Sequence, residues 1–439
     1  MALRAQRATG RSDHDHGAAD GHDVPGSIRL GVRGGGNGTR VAADSSVHID
    51  GEPQPLRWFV MSEERLHVPE REPSLRVSNV DGAPVVVQRI ALPGGDAVLT
   101  CWMVADDGGT VLVEFTNDSP RACAVIFDGP AMAGGRAEPA PVRIAGVPET
   151  ARSHPVAHRA SVRFAVGRPG IDGANHPSPD RVAAGWVAVS EAASRVDIPT
   201  LPFASALVAA RARIAIAHAH EWEALLDAAP DLALLGLAER ARMGEMLNEW
   251  VGPVADAVAR VARGMHRSPG PHGRAHRAVQ QAAHALRASG ELRAADDAAA
   301  AWSRTVTFVR SEGRADDPLA GHDLAAPQRF ALPTAIDVAA AIEHRCARGI
   351  GDDGSVATIE LFAAGIPDAW RGLDGNVHDV CVGPRHTLSF ALRWHGARLA
   401  VLWESAGPGP VTLVAPQLDQ SWSVTGTSGD ALLDIGAQA

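Results

Sequence analysis

The pattern of apolar and polar positions divides the chain into three regimes. From Ser27 to Pro199, apolar residues come in short runs, rich in β-branched side chains, with turn residues between them. Val85–Leu92, Asp96–Ala105, Thr110–Thr116 and Ala122–Phe127 read as strands. Turns are expected at Asp106-Asp107-Gly108-Gly109 and Asn117-Asp118-Ser119-Pro120. Val162–Val166 and Ala183–Val189 read as later strands of the same unit, and the Pro- and Gly-rich stretch 167–180 as a surface loop. Short strands at this spacing predict an antiparallel β sandwich.

At Leu201 the period becomes helical. Ala204–Asp227, Asp231–Asn248, Val254–Met265, His272–Ala288, Glu291–Trp302 and Pro333–Arg348 are the predicted helices, punctuated by Pro230, Ser268-Pro269-Gly270-Pro271, Gly290 and Gly349. About six helices in about 145 residues, joined by short loops, predict antiparallel hairpins. From Gly354 strands return at Ser355–Phe362, Val377–Val382, Thr387–Trp394, Arg398–Trp403 and Val411–Val414. The alternation of Leu388, Phe390, Leu392 and Trp394 marks a half-buried strand.

The expected fold class is therefore α+β multidomain. An antiparallel β-sandwich domain covers 27–200, an α-helical hairpin domain 201–350 and a small C-terminal β unit 351–426. A disordered tail precedes them (1–26) and a fraying tail follows (427–439). Strands and helices do not alternate, which argues against a doubly wound sheet.

Composition narrows the chemistry. The chain has 439 residues, 45% hydrophobic and 21% charged, which suits globular domains. It has no Lys and no Tyr, so all 41 basic residues are Arg. That excludes a lysine Schiff base, a lysine-dependent phosphate loop and a tyrosine acid or nucleophile. A net charge of −10 argues against a nucleic-acid partner. The N-terminal arginines are not followed by an apolar stretch, so no signal peptide is expected, and no run is long enough for a membrane span. Cys101, Cys123, Cys346 and Cys381 are scattered and read as buried free thiols, which makes the cytoplasm the expected location.

Several motifs have a plain reading. Asp13-His14-Asp15-His16 and His22-Asp23 lie in a tail that would not hold a metal rigidly. Gly34-Gly35-Gly36-Asn37-Gly38 precedes an extended segment and reads as a turn. His272, His276 and His284 share a helix without a third-ligand pattern and read as a solvated face. His218 and His220, two apart, fall on different faces of a helix. No Gly-x-Ser-x-Gly elbow occurs. No metal and no cofactor are expected.

The carboxylates Glu221, Glu223, Glu239, Glu245, Glu249 and Asp256 remain. Two-carboxylate glycoside hydrolysis needs two carboxyls facing one sugar. Glu245 and Glu249, four apart with Trp250 adjacent, would share a helix face and offer a ring for a sugar to stack on. The competing reading is the exposed side of an amphipathic helix. Two aromatic–polar clusters stand out as a polyol pocket or as core packing. One contains Trp58, Glu64, Arg65 and His67. The other contains Arg393, Trp394 and His395.

On these residues the chain resembles a family. Leu56–Arg76, the motif Leu112-Val113-Glu114-Phe115-Thr116-Asn117-Asp118-Ser119-Pro120, and Leu388–Glu404 resemble uncharacterised actinobacterial proteins similar to six-hairpin glycosidases. In those, an N-terminal β sandwich precedes an (α/α) toroid and a small β unit follows. The resemblance covers most of 27–425 by element order and is specific at Arg393-Trp394-His395-Gly396. Twelve toroid helices need roughly 200–300 residues, so the helical share here implies a partial toroid. The family brings no established catalytic pair. The candidates stay those read from the residues: Glu245, Glu249 and Asp256, facing Trp394 and His395 across a cleft, with Trp58, Glu64, Arg65, His67, Trp250 and Arg393 binding substrate. The partner implied is a carbohydrate, small molecule or oligosaccharide. The chain then either hydrolyses it through two carboxylates or is a non-catalytic carbohydrate-binding or assembly protein of the same architecture.

Overall fold

The computed structural model describes residues 27–435 apart from 35–37, 135–139, 142, 168–172, 200–201, 268–271, 311–318, 320–321, 323, 325–328 and 353–356. The fold is mixed α+β. A three-stranded sheet of Ile28–Arg29, Arg40–Val41 and Val47–His48 opens the described chain. Two antiparallel sheets follow. The five-stranded one runs Ala140–Pro141, Arg152–Val156, Cys123–Asp128, Arg57–Ser62, Arg65–His67. The six-stranded one runs Met132–Gly134, Ala160–Val166, Thr110–Asn117, Gly95–Val104, Val86–Leu92, Arg76–Asn79. Trp58, Leu99, Phe115, Val125 and Phe164 form one core.

Gly95–Val104 explains why its sequence runs apolar rather than alternating. Leu99, Cys101 and Met103 face that core, while Trp102 and Val104 on the opposite side join the helical core. A strand covered on both faces has no solvent side to mark with polar residues.

Eight α-helices occur among the described residues: α1 (Pro179–Glu191), α2 (Phe203–Ala215), α3 (Ala219–Ala228), α4 (Pro230–Arg242), α5 (Val251–Arg267), α6 (Gly273–Ala288), α7 (Leu292–Arg310) and α8 (Leu332–Cys346). Three expectations need correction. Ala183–Val189 is the middle of α1 and not a strand. Ser178 caps that helix by accepting from the Arg181 N–H, Pro179 opens it, and Ala183, Trp186 and Ser190 are its buried stripe. The helix expected over 204–227 breaks at Ile216–His218, and the one expected over 231–248 ends at Arg242. The Glu221 carboxylate drives the first break by accepting from the His218 N–H at 2.9 Å, which starts a new helix.

α4 packs on α6 and α2, and α2 on α8, with α3, α5 and α7 flanking them. Gly236 permits the close approach of α3 and α8 to α4. A Cβ there would lie 2.6 Å from Trp222 and 2.7 Å from Ile336. α4, α6 and α8 run the same way. Asp231, Arg274 and Asp337 meet toward their N-terminal ends, and Glu239, Gln281 and Glu343 share one network toward their C-terminal ends.

The last region holds two further sheets. One orders Arg195–Asp197, Gly375–Cys381, Thr387–His395, Arg398–Ala406 and Ser428–Asp434. The other orders Ala347–Asp352, Ala357–Leu361, Val411–Ala415 and Asp419–Gly426. Ala357–Leu361 and Val411–Ala415 pair in parallel, so these sheets are not purely antiparallel. Two segments sit outside their expected units. Arg195–Asp197 pairs with Gly375–Cys381 rather than with a sandwich strand. Ser428–Asp434, expected to fray, pairs with Arg398–Ala406 along its whole length and buries Leu433. No helix among the described residues is long and apolar enough to cross a membrane.

Candidate functional site

The carboxylates expected to act as a pair do not share a helix face. Glu245 lies in the loop after α4, where Arg240 donates to it through Nε at 2.8 Å and through a second guanidinium nitrogen. Glu249 and Trp250 are in the 3-10 turn Asn248–Trp250, with Glu249 exposed. Asp256 is exposed on α5. The i, i+4 relation of Glu245 and Glu249 disappears because the chain leaves the helix at Met243, before reaching either.

The two aromatic clusters divide by depth. Trp58 is 2% exposed, donates through Nε1 to Gln88 Oε1 at 3.2 Å and packs edge-on against Phe115, so it belongs to the sandwich core. His67 is buried, and its Nδ1 lies 3.0 Å from Glu72 Oε1, which also accepts from the exposed Arg65. Glu64 sits at the hairpin tip beside Glu63. Both have positive φ, the two-residue turn geometry that matches strand twist. In the second cluster Arg393 donates to Gly375 O and Asn376 Oδ1. The Trp394 backbone N–H donates to Asp374. The Trp394 ring is half-buried with its Nε1 unpartnered, and His395 is exposed. Four cavities among the described residues are lined by other groups, and none of these four takes a wall from Glu245, Glu249, Asp256, Trp394 or His395.

The histidines differ from expectation. His276 is buried, stacked on Trp302 and bonded to Thr305 Oγ1 at 2.8 Å, and burial drives its pKa down to about 3. His284 is driven down to about 4, again chiefly by burial. These two point into the protein because α6 is packed between α4 and α7. All four cysteines are buried and free. Burial pushes Cys101 and Cys346 to about 12 and Cys123 and Cys381 to about 11, so none offers a thiolate at neutral pH. Among the described residues no group of three or more His, Cys, Asp or Glu could hold a metal ion. The motifs in the N-terminal tail and most of the glycine run lie outside the described residues.

The largest of the four cavities, about 460 Å³, lies between the small N-terminal sheet and the start of α3. Its size falls in the ~300–1,000 Å³ range of small-molecule sites. Sequence reasoning missed it, because it joins the N-terminal sheet and its following turn to the distant start of α3. Arg29, Arg40 and His48 come from the sheet, Asp50 and Glu52 from the turn after it, and His218 and His220 from the α3 N-terminus. The two histidines are not on opposite faces. His218 precedes the first helical residue with an extended backbone, so helical periodicity does not apply, and the rings stack 5.5 Å apart at 12°.

The charges there balance. Arg29 and Arg40 face Asp50 and Glu52. Glu221, beside the cavity, accepts from Arg29 at 3.2 Å and Arg213 at 2.7 Å. Burial works against its charged form, but the two arginines prevail and hold it below the usual carboxylate range, so it is ionised and cannot act as an acid near neutrality. Burial and the nearby arginines lower both His48 and His218, leaving two neutral imidazoles at pH 7.

Asp44, Ser46 and His48 form a chain that runs from a neighbouring cavity of about 140 Å³, lined by Asp44 and Ser46, to this one, lined by His48. Ser46 Oγ lies 2.6 Å from Asp44 Oδ1 and 3.1 Å from His48 Nε2. The residue types are those of a nucleophilic triad, but the order is wrong. The serine proton goes to the carboxylate, so His48 Nε2 meets Oγ as a donor rather than as the base that a triad requires.

One other carboxylate pair is brought together. Arg274 bonds Asp231 through Nε at 2.7 Å and lies 3.8 Å from Asp337. One shared guanidinium keeps both carboxyls within the ~10 Å over which a pair can flank a glycosidic bond. Burial, with a smaller push from Asp231, raises Asp337 against the pull of Arg274. Neither carboxylate lines any of the four cavities, and the guanidinium lies between them.

No protein-family model matches the chain, and no curated protein matches it.

Proposed function

We propose that the chain binds a neutral carbohydrate in the cavity beside α3 and does not cleave it there. The observation that carries this reading is the balance of the lining. Two arginines face two carboxylates, and His48 and His218 are held neutral, in a space of about 460 Å³. Such a wall presents many hydrogen-bond donors and acceptors and little net field. That suits a polyhydroxy ligand better than a phosphate or a carboxylate. The stacked His218–His220 pair adds a flat surface for a sugar face. Binding without hydrolysis is supported by Glu221, the carboxylate beside the cavity. Glu221 is pinned ionised, and a glycosidase needs one carboxyl that carries a proton. A panel of neutral oligosaccharides assayed by calorimetry and by release of reducing ends tests this. Binding without release supports it, and release of reducing ends by the cavity's residues overturns it.

A second reading, hydrolysis, is favoured by Asp337 alone, the carboxyl whose raised pKa and acidic neighbour suit a proton donor. Asp337→Asn separates the two: it abolishes any cleavage under the second reading and leaves sugar binding unchanged under the first.

A further inference from the structure

We infer that His48 is a specificity-determining acceptor, locked in one tautomer, which reads a hydroxyl of the ligand. This rests on the carbohydrate reading of the cavity. The argument follows protons along three side chains. The Asp44 carboxylate accepts from both the Ser46 N–H at 3.0 Å and the Ser46 O–H at 2.6 Å. Ionised, it has no proton to give, so the single Ser46 hydroxyl proton is committed to it. Ser46 Oγ, 3.1 Å from His48 Nε2, can then only accept. His48 must donate through Nε2, which in a neutral ring leaves Nδ1 as a bare lone pair.

That lone pair has no partner among the described residues and is not sealed from solvent, while the ring borders the cavity. Asp44 and Ser46 act through His48 and are positioning residues. Ser46 is 4% exposed, so water does not compete freely for its hydroxyl. The charged groups around His48 are Arg40, Arg57 and Asp44, and the two cations help to keep the ring neutral. A neutral imidazole offering only an acceptor rewards a ligand O–H and repels an anionic oxygen. It therefore separates a sugar hydroxyl from a carboxylate or phosphate at the same spot.

Two measurements test this. ¹⁵N NMR of histidine-labelled, ligand-free protein at pH 7 reads the tautomer directly. His48 should show protonated Nε2 and unprotonated Nδ1, and Ser46→Ala should mix the two forms. A protonated Nδ1 in the unaltered protein overturns the inference. Calorimetry with neutral methyl glycosides and their monodeoxy analogues reads the ligand side. His48→Leu should weaken binding about tenfold, the effect of one lost hydrogen bond. His48→Asn, whose amide oxygen falls near the Nδ1 position, should recover most of it. One monodeoxy analogue should lose about tenfold on the unaltered protein and nothing further on His48→Leu. Equal binding by His48→Leu and the unaltered protein overturns the specificity role. If no glycoside binds while NMR shows the expected tautomer, the carbohydrate reading is overturned and the proton assignment stands.

Discussion

Two ionic clusters of similar composition sit in different parts of this molecule and do different things. Between α2, α4, α6 and α8, Arg211 and Arg242 meet Glu239 and Glu343, all with side chains 5% exposed or less. Every partner is supplied from within. Arg211 also donates to the carbonyls of Ser190 and Ser194, Arg242 to that of Ala193, and Ser194 Oγ and Gln281 donate to Glu343. Both clusters border cavities, Arg211 with Ser190 and Ser194 one of about 340 Å³ and Arg29 the one of about 460 Å³. Beside α3, Arg29 and Arg213 meet Glu221 in much the same way, but Arg29 and Glu221 are more open, with side chains 12% and 14% exposed. Arg40, His48 and His218 around the larger cavity keep polar atoms for something else. Burial with complete pairing makes a charge structural, whereas partial burial with an open side makes it available to a ligand.

The largest effect expected comes from acid, which acts on both clusters. His276, His284 and His344 have folded-state pKa values below the ordinary histidine value because they are buried. The stability they support is complete above about pH 6.5 and is lost as the pH falls toward about 4. Glu221 and Glu239, held below the usual carboxylate range against the cost of burial, add a loss below about pH 4.5. Urea unfolding at a series of pH values should be flat near pH 7–8 and fall by several kcal/mol in total on acidification. A flat profile down to pH 4 would mean that these imidazoles are not buried as described.

Next is Glu343→Ala. It leaves Arg211 and Arg242 buried with one carboxylate fewer and should cost about 3–5 kcal/mol in urea unfolding. Glu221→Gln keeps a hydrogen-bonding group at a more open site and should cost about 1–2 kcal/mol. Equal costs would erase the distinction between the two clusters. Smaller again is His218→Ala, which should weaken neutral-sugar binding by roughly tenfold in calorimetry with little change in the unfolding midpoint. The smallest effects belong to Glu249→Gln and Asp256→Asn. Both carboxylates are exposed, so each substitution should shift stability by no more than about 0.5 kcal/mol and leave sugar binding unchanged.

The fold was legible where one period ran unbroken. Thr387–His395 alternates cleanly and is a strand, and α5 to α8 carry apolar residues at helical spacing. It was obscured where a local signal was read at the wrong scale. The Val-rich centre of α1 resembles a strand until Ser178-Pro179 is recognised as a helix start. Ser428–Asp434 looks too polar to hold, yet an edge strand buries only one face and needs little more than Leu433. Trp58 had the right residue type for a sugar platform, but composition cannot tell a core tryptophan from an exposed one. The cavity beside α3 joins Arg29, His48 and His218, which no spacing rule connects. One signal was within reach. Asp44-x-Ser46-x-His48 combines an Asx turn, in which Asp44 accepts from the Ser46 N–H, with the start of a strand at Val47–His48, and so brings three hydrogen-bonding side chains together.

The most direct measurement is a crystal structure of the protein with the tightest-binding neutral oligosaccharide of the panel. A sugar is expected between His48 and the His218–His220 pair, intact, with one hydroxyl within hydrogen-bond distance of His48 Nδ1. A sugar seated instead against Trp394 and His395, or between Asp231 and Asp337, would contradict the assignment of the site.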